Sequence, residues 1–148
     1  MSESDEQKAQ DNAQKEYLDA STNVRHHGTL RFAQLTLFVA ITGGLLNGFF
    51  AQNTPGRHGK LVLELLGLVA ALAFFIIEVR TARYWLHYRS RAEYLEARLG
   101  YEQYSTLPKG KWKLTAQNAT RALYLVTILF WIAALVDRFW KGGRYLGG

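Results

Sequence analysis

Residues 32–51 read FAQLTLFVAITGGLLNGFFA, twenty residues without a charged side chain. At 1.5 Å per residue, a helix of that length covers roughly 30 Å, the thickness of a hydrocarbon core. A turn follows in QNTPGRHG, where Pro55, Gly56 and Gly59 interrupt the pattern. Residues 61–79, LVLELLGLVAALAFFIIEV, are then apolar on every face apart from Glu64 and Glu78. The helix of a small soluble bundle keeps a polar face. Segments 32–51 and 61–79 are therefore read as the first and second transmembrane helices.

Nothing breaks the chain after Val79. Residues 80–100 continue as RTARYWLHYRSRAEYLEARLG, in which Trp85, Tyr88, Ala92, Leu95 and Leu99 step by 3, 4, 3 and 4. That is a heptad-like seam on a charged helix, so the second span is expected to run on into the cytosol. Gly100 offers a stop, and Pro108 and Gly110 end the helix by that point. Upstream, residues 5–31 are polar, and Ala9, Ala13, Tyr17, Ala20 and Val24 recur at helical spacing. This stripe is too thin to stand alone and is expected to pack on the 80–100 seam.

The last apolar block, Ala122–Val136, has only fifteen residues between Arg121 and Asp137. It suits an interfacial helix or a third span over 119–138. We adopt the third span because Arg121 and Arg138 can snorkel and Phe139 with Trp140 can form an aromatic belt. The expected fold is thus all-α: one membrane domain over 1–148, with two to three transmembrane helices.

The 18 basic residues decide the orientation. Lys8, Lys15, Arg25 and Arg31 precede the first span, and nine more lie from Arg80 to Arg121, thirteen on one side in the three-span reading. The other side keeps five: Arg57, Lys60, Arg138, Lys141 and Arg144. The positive-inside rule then sets the N-terminus in the cytoplasm and the 52–60 loop outside, as in an inner-membrane protein. The first apolar run begins too late for an ordinary signal peptide and acts as an uncleaved anchor.

With no cysteine, disulfides and thiolate chemistry are excluded. His26, His27, His58 and His87 show no metal-ligand spacing, and no Walker loop, G-x-S-x-G or H-E-x-x-H occurs. No enzyme activity, cofactor or metal is expected.

The candidate sites are polar residues inside or beside the spans. Glu64 can meet Lys60 on one helix face, either as a snorkelling carboxylate or as part of an anionic ring at a pore mouth. Glu78, with Arg80 or Arg121, can fix helix register or serve as a gate. Thr36, Thr42, Gly43, Gly44, Asn47 and Gly48 make the first span small and polar. They suit close packing within or between chains, or a water path, with Gly43-Gly44 a candidate hinge. Lys109, Lys111, Trp112 and Lys113 read as an anionic-lipid anchor or a phosphate site. Nucleic acid is the weaker partner because no recognisable fold for it accompanies the cluster.

This layout resembles the SLATT-type small bacterial membrane domains of nucleotide-linked and conflict systems. The residues that carry the resemblance are Phe75–Glu78 running into RSRAEYLEARLGYEQY at 89–104. The resemblance implies an oligomeric, pore-forming effector held closed until a cytosolic protein or nucleotide signal arrives. It also implies two membrane helices, against the third offered here. The contrasting expectation is a non-conducting scaffold that recruits a partner through its basic helices.

Overall fold

A computed structural model describes residues 3–51, 56–106 and 115–144. Among them every regular element is helical: α1 spans Glu3–Phe50, α2 Arg57–Leu99 and α3 Ala116–Arg144. Each has a stretch long and apolar enough to cross a bilayer.

The 5–31 helix and the 32–51 segment form one uninterrupted α1 of 48 residues. No proline occurs between Glu3 and Phe50, and the helix passes straight through Gly43-Gly44. α2 is likewise continuous from its apolar into its charged stretch over 43 residues. α3 has 29 residues, roughly 43 Å of helix. Its apolar core is short, but helical turns extend it at both ends. Thr115 caps it, its Oγ1 accepting the Asn118 N–H at 3.2 Å.

The chain divides into two compact units, Met1–Phe32 with Val79–Lys113, and Ala33–Glu78 with Leu114–Gly148. In the first, charged unit, α1 and α2 run antiparallel. Ala13, Tyr17, Ala20 and Val24 of α1 meet Ala92 and Leu95 of α2 and Tyr104 of the following turn, with Trp85, Tyr88 and Leu99 packed alongside. The alanines let the backbones approach, and the larger aromatic and leucine side chains fill the space opposite. His27 stacks on Tyr84 and Tyr88, ring centroids 5.9 and 5.6 Å away. α2 ends at Gly100, whose φ of 73° is left-handed; the N–H groups of Gly100 and Tyr101 both reach the Glu96 carbonyl, at 2.9 and 3.1 Å. This is a glycine stop in which the left-handed residue lets two N–H groups converge on one terminal carbonyl.

The second, apolar unit is a three-helix bundle around Phe38, Ala71, Tyr124, Ile128 and Trp131. Phe38 meets Phe74 at 5.5 Å and Tyr124 at 4.5 Å, and Phe49 meets Trp131 at 5.7 Å, so α1 runs antiparallel to α2 and parallel to α3. Trp131 is fully buried. It fits because α2 presents Gly67, where an added Cβ would lie 2.2 Å from Trp131 Cε2. Gly67→Ala is therefore expected to destabilise this unit by about 1–3 kcal/mol through overpacking, read as a lower unfolding midpoint in detergent. An unchanged midpoint would mean that the indole moves aside at no cost.

Candidate functional site

The inward face of α2 in the apolar unit carries Glu64, Gly67, Ala71, Phe74 and Glu78, stepping by 3, 4, 3 and 4. The seam spacing of residues 85–99 thus extends back through this stretch, with a carboxylate at each end of the apolar stretch. Glu64 is 2% exposed and Glu78 is 1% exposed. Fourteen residues separate them, roughly 21 Å along the axis.

Glu64 accepts two hydrogen bonds from Arg138, from Nε at 2.6 Å and Nη2 at 2.6 Å. The same contact that seats Trp131 over Gly67 aligns them, because Arg138 lies two helical turns beyond Trp131 on one face of α3. A planar guanidinium forked onto a carboxylate satisfies both charges where water is excluded. The sequence suggested Lys60 as partner and a snorkelling Arg138; the structure instead joins Glu64 to Arg138 across two helices. Arg80, one suggested partner of Glu78, is exposed in the charged unit. Arg121, the other, has a buried Nε without a hydrogen-bond acceptor among the described residues.

The first span's small and polar residues separate into two groups. Gly48 faces α2, where an added Cβ would touch Leu63 Cδ1 at 3.6 Å. Gly43 and Gly44 would meet nothing within 4 Å. Both are exposed, as are Thr36 and Asn47. Thr36, Gly43 and Asn47 follow i, i+7, i+11, a single helix face.

In the charged unit, a third buried carboxylate organises the chain reversal after α2. Glu96 is fully buried. Its carboxylate accepts the Tyr104 N–H at 2.9 and 3.0 Å, the Ser105 N–H at 3.0 Å and the Tyr17 hydroxyl at 3.0 Å. Tyr17 O also lies 3.1 Å from Gln103 Oε1. A hydroxyl has one hydrogen, so the consistent arrangement turns the Gln103 amide to donate to Tyr17. Ser21 and Tyr104 hydroxyls, 3.0 Å apart, close the network. Burial alone pushes the Glu96 carboxyl up, but the Tyr104 and Ser105 N–H groups and the Tyr17 hydroxyl outweigh it and hold the group below the usual carboxylate range. Burial, reinforced by the Glu96 hydrogen bond and charge, pushes the Tyr17 hydroxyl up to about 12.

Lys109, Lys111, Trp112 and Lys113 lie outside the described residues. Among the described residues no group of His, Asp and Glu could hold a metal ion. Sequence reasoning passed over Gly67, Trp131 and Glu96. Glu96 carried a signal, since an acid in the last turn of a helix opposes the helix dipole and needs a local reason.

The fold defines a helical membrane protein with three candidate spans. Comparison with known proteins finds no matching family model, no matching curated protein and no matching solved structure.

Proposed function

We propose that this chain is an oligomeric membrane effector, a pore or bilayer-perturbing assembly gated by its charged helices, in a bacterial defence setting. The charged unit lies on the cytoplasmic side of an inner membrane, as the thirteen-to-five division of basic residues supports. The observation that carries the reading is the exposed face of α1 with Thr36, Gly43, Gly44 and Asn47. In hydrocarbon an amide side chain seeks a partner or water, and small residues let another helix come close. A second copy supplies that helix, and several copies around an axis enclose a path that Thr36 and Asn47 line. Glu64 and Glu78, buried within the chain, hold the helices in register beneath that lining. The continuity of α1 and α2 gives the cytosolic helices a direct mechanical route to the spans. The SLATT-like layout points the same way.

The glycines make a clean test. A side chain at Gly44 meets nothing within its own chain, so Gly44→Leu should leave the monomer folded and block assembly. Wild-type protein in lipid nanodiscs is expected at a defined multiple of 16.8 kDa, the variant at a lower one, with ion flux into liposomes falling at least tenfold. A wild-type particle that stays monomeric in lipid rules out the effector. The bidentate Glu64–Arg138 pair, which closes the bundle on itself, favours a non-conducting scaffold as the second reading. An assembly that forms and never conducts would select it.

A further inference from the structure

Where α1 and α2 leave the charged unit, arginines outnumber the acids able to pair with them. The chain has no Asp or Glu between Asp19 and Glu64, nor between Glu78 and Glu93. Arg80, Arg83 and His87 follow i, i+3, i+7 on α2, so they share one face, and all three are exposed. Tyr84 stands beside them at 45% exposure, with the Arg80 guanidinium 6.0 Å from its ring. On α1, Arg25 is exposed, and among the described residues its side chain donates only to Thr22 Oγ1, at 3.4 Å. It lies two residues from His27 and so points to another side of α1 than the ring stacked on Tyr84. Farther from the apolar stretches the arginines have acids: Arg89 pairs with Glu93 and Arg91 with Glu16.

Exposed apolar side chains stand on the same stretches of these helices, Leu30 and Phe32 on α1 and, three residues from Arg83, Leu86 on α2. A soluble phosphate ester or a nucleic acid would leave them in water. A phospholipid places phosphate and acyl chain side by side and matches both. Guanidinium suits the phosphodiester because its planar fork donates two hydrogen bonds to one group. We propose that Arg80 and Arg83, with Tyr84, form a binding surface for the phosphate of an anionic phospholipid headgroup. This requires that the apolar stretches lie in a bilayer, and it holds for effector and scaffold alike.

The test uses the full chain in detergent, titrated with phosphatidylglycerol or phosphatidylcholine and read by native mass spectrometry. A base at an anionic surface contributes about fivefold in affinity. Arg80→Gln with Arg83→Gln is therefore expected to cut the preference for phosphatidylglycerol roughly 25-fold. Arg80→Lys with Arg83→Lys keeps the charge without the fork and should retain only part of it, and Arg89→Gln, at a base already paired, should leave it unchanged. These positions are exposed, so unfolding midpoints should match the wild type. A double glutamine variant that keeps the wild-type preference overturns the proposal. So does soluble glycerophosphate that displaces the lipid as effectively as lipid itself.

Discussion

Arg138→Ala is expected to destabilise the apolar unit by about 3–5 kcal/mol, a large fraction of the stability of a bundle this size. The reason is the charge left behind. Glu64 is 2% exposed and both its oxygens are engaged by the one guanidinium. Without Arg138 the carboxylate must ionise unpaired in an apolar bundle, take up a proton or draw water inward, and each course costs free energy. Glu64→Ala should cost a similar amount by stranding the guanidinium, which is only 16% exposed. The double variant, Glu64→Met with Arg138→Leu, is expected to recover most of the loss, because desolvating the pair offsets much of its attraction. Denaturant unfolding of the wild type, Glu64→Met, Arg138→Leu and their combination in one detergent closes the double-mutant cycle. A coupling energy below about 1 kcal/mol would place the pair among solvated surface bridges and end its role as a register lock.

That pair also marks where sequence reasoning stops. The apolar runs at 32–51 and 61–79 were legible because hydrophobic length is a local property, and so was the stop at Gly100. The spacing of Trp85, Tyr88, Ala92, Leu95 and Leu99 showed a face, and the structure sets that face against Tyr17 and the alanines of α1. Partners across helices are different. Helical spacing nominates only neighbours on the same helix, so Lys60 looked like the mate of Glu64, while the observed donor lies 74 residues away. Trp131 carried no sign of full burial, since its pocket is the missing side chain of Gly67 on another helix. A glycine in an apolar run reads equally as a packing notch or as a neutral residue until its neighbour is known. The third span was ambiguous for a related reason. Ala122–Val136 is only fifteen residues between Arg121 and Asp137, and the carboxylate that takes Arg138 into the bundle lies on another helix.

Acid and alkali are both expected to loosen the charged unit, through opposite ends of one hydrogen bond. The Glu96 carboxyl, ordinarily at 4.5, is held lower in the fold. Its stabilisation is fully present above pH 4.5 and is lost as pH falls through that lowered value, because a protonated carboxyl faces three donors with one oxygen spoiled as an acceptor. Tyr17 behaves inversely. Its hydroxyl is raised from 10.0 to about 12, so its contribution is intact below pH 10.0 and disappears as pH climbs through about 12. Glu96→Ala removes the acceptor altogether and strands the Tyr104 and Ser105 N–H groups, at about 1–3 kcal/mol for each orphaned donor, so about 2–6 kcal/mol in all. Glu96→Gln keeps the shape and one acceptor oxygen, so its cost is smaller, and it should abolish the acid arm because nothing remains there to titrate. Tyr17→Phe should remove the alkaline arm, cost about 1 kcal/mol and leave the acid arm in place. Hydrogen exchange at the Tyr104 and Ser105 amides reads the acid arm directly, and tyrosinate absorbance reads the alkaline one. If Glu96→Gln still opened below pH 4.5 as the wild type does, the acid sensitivity would belong to other carboxylates and Glu96 would be only a structural clasp.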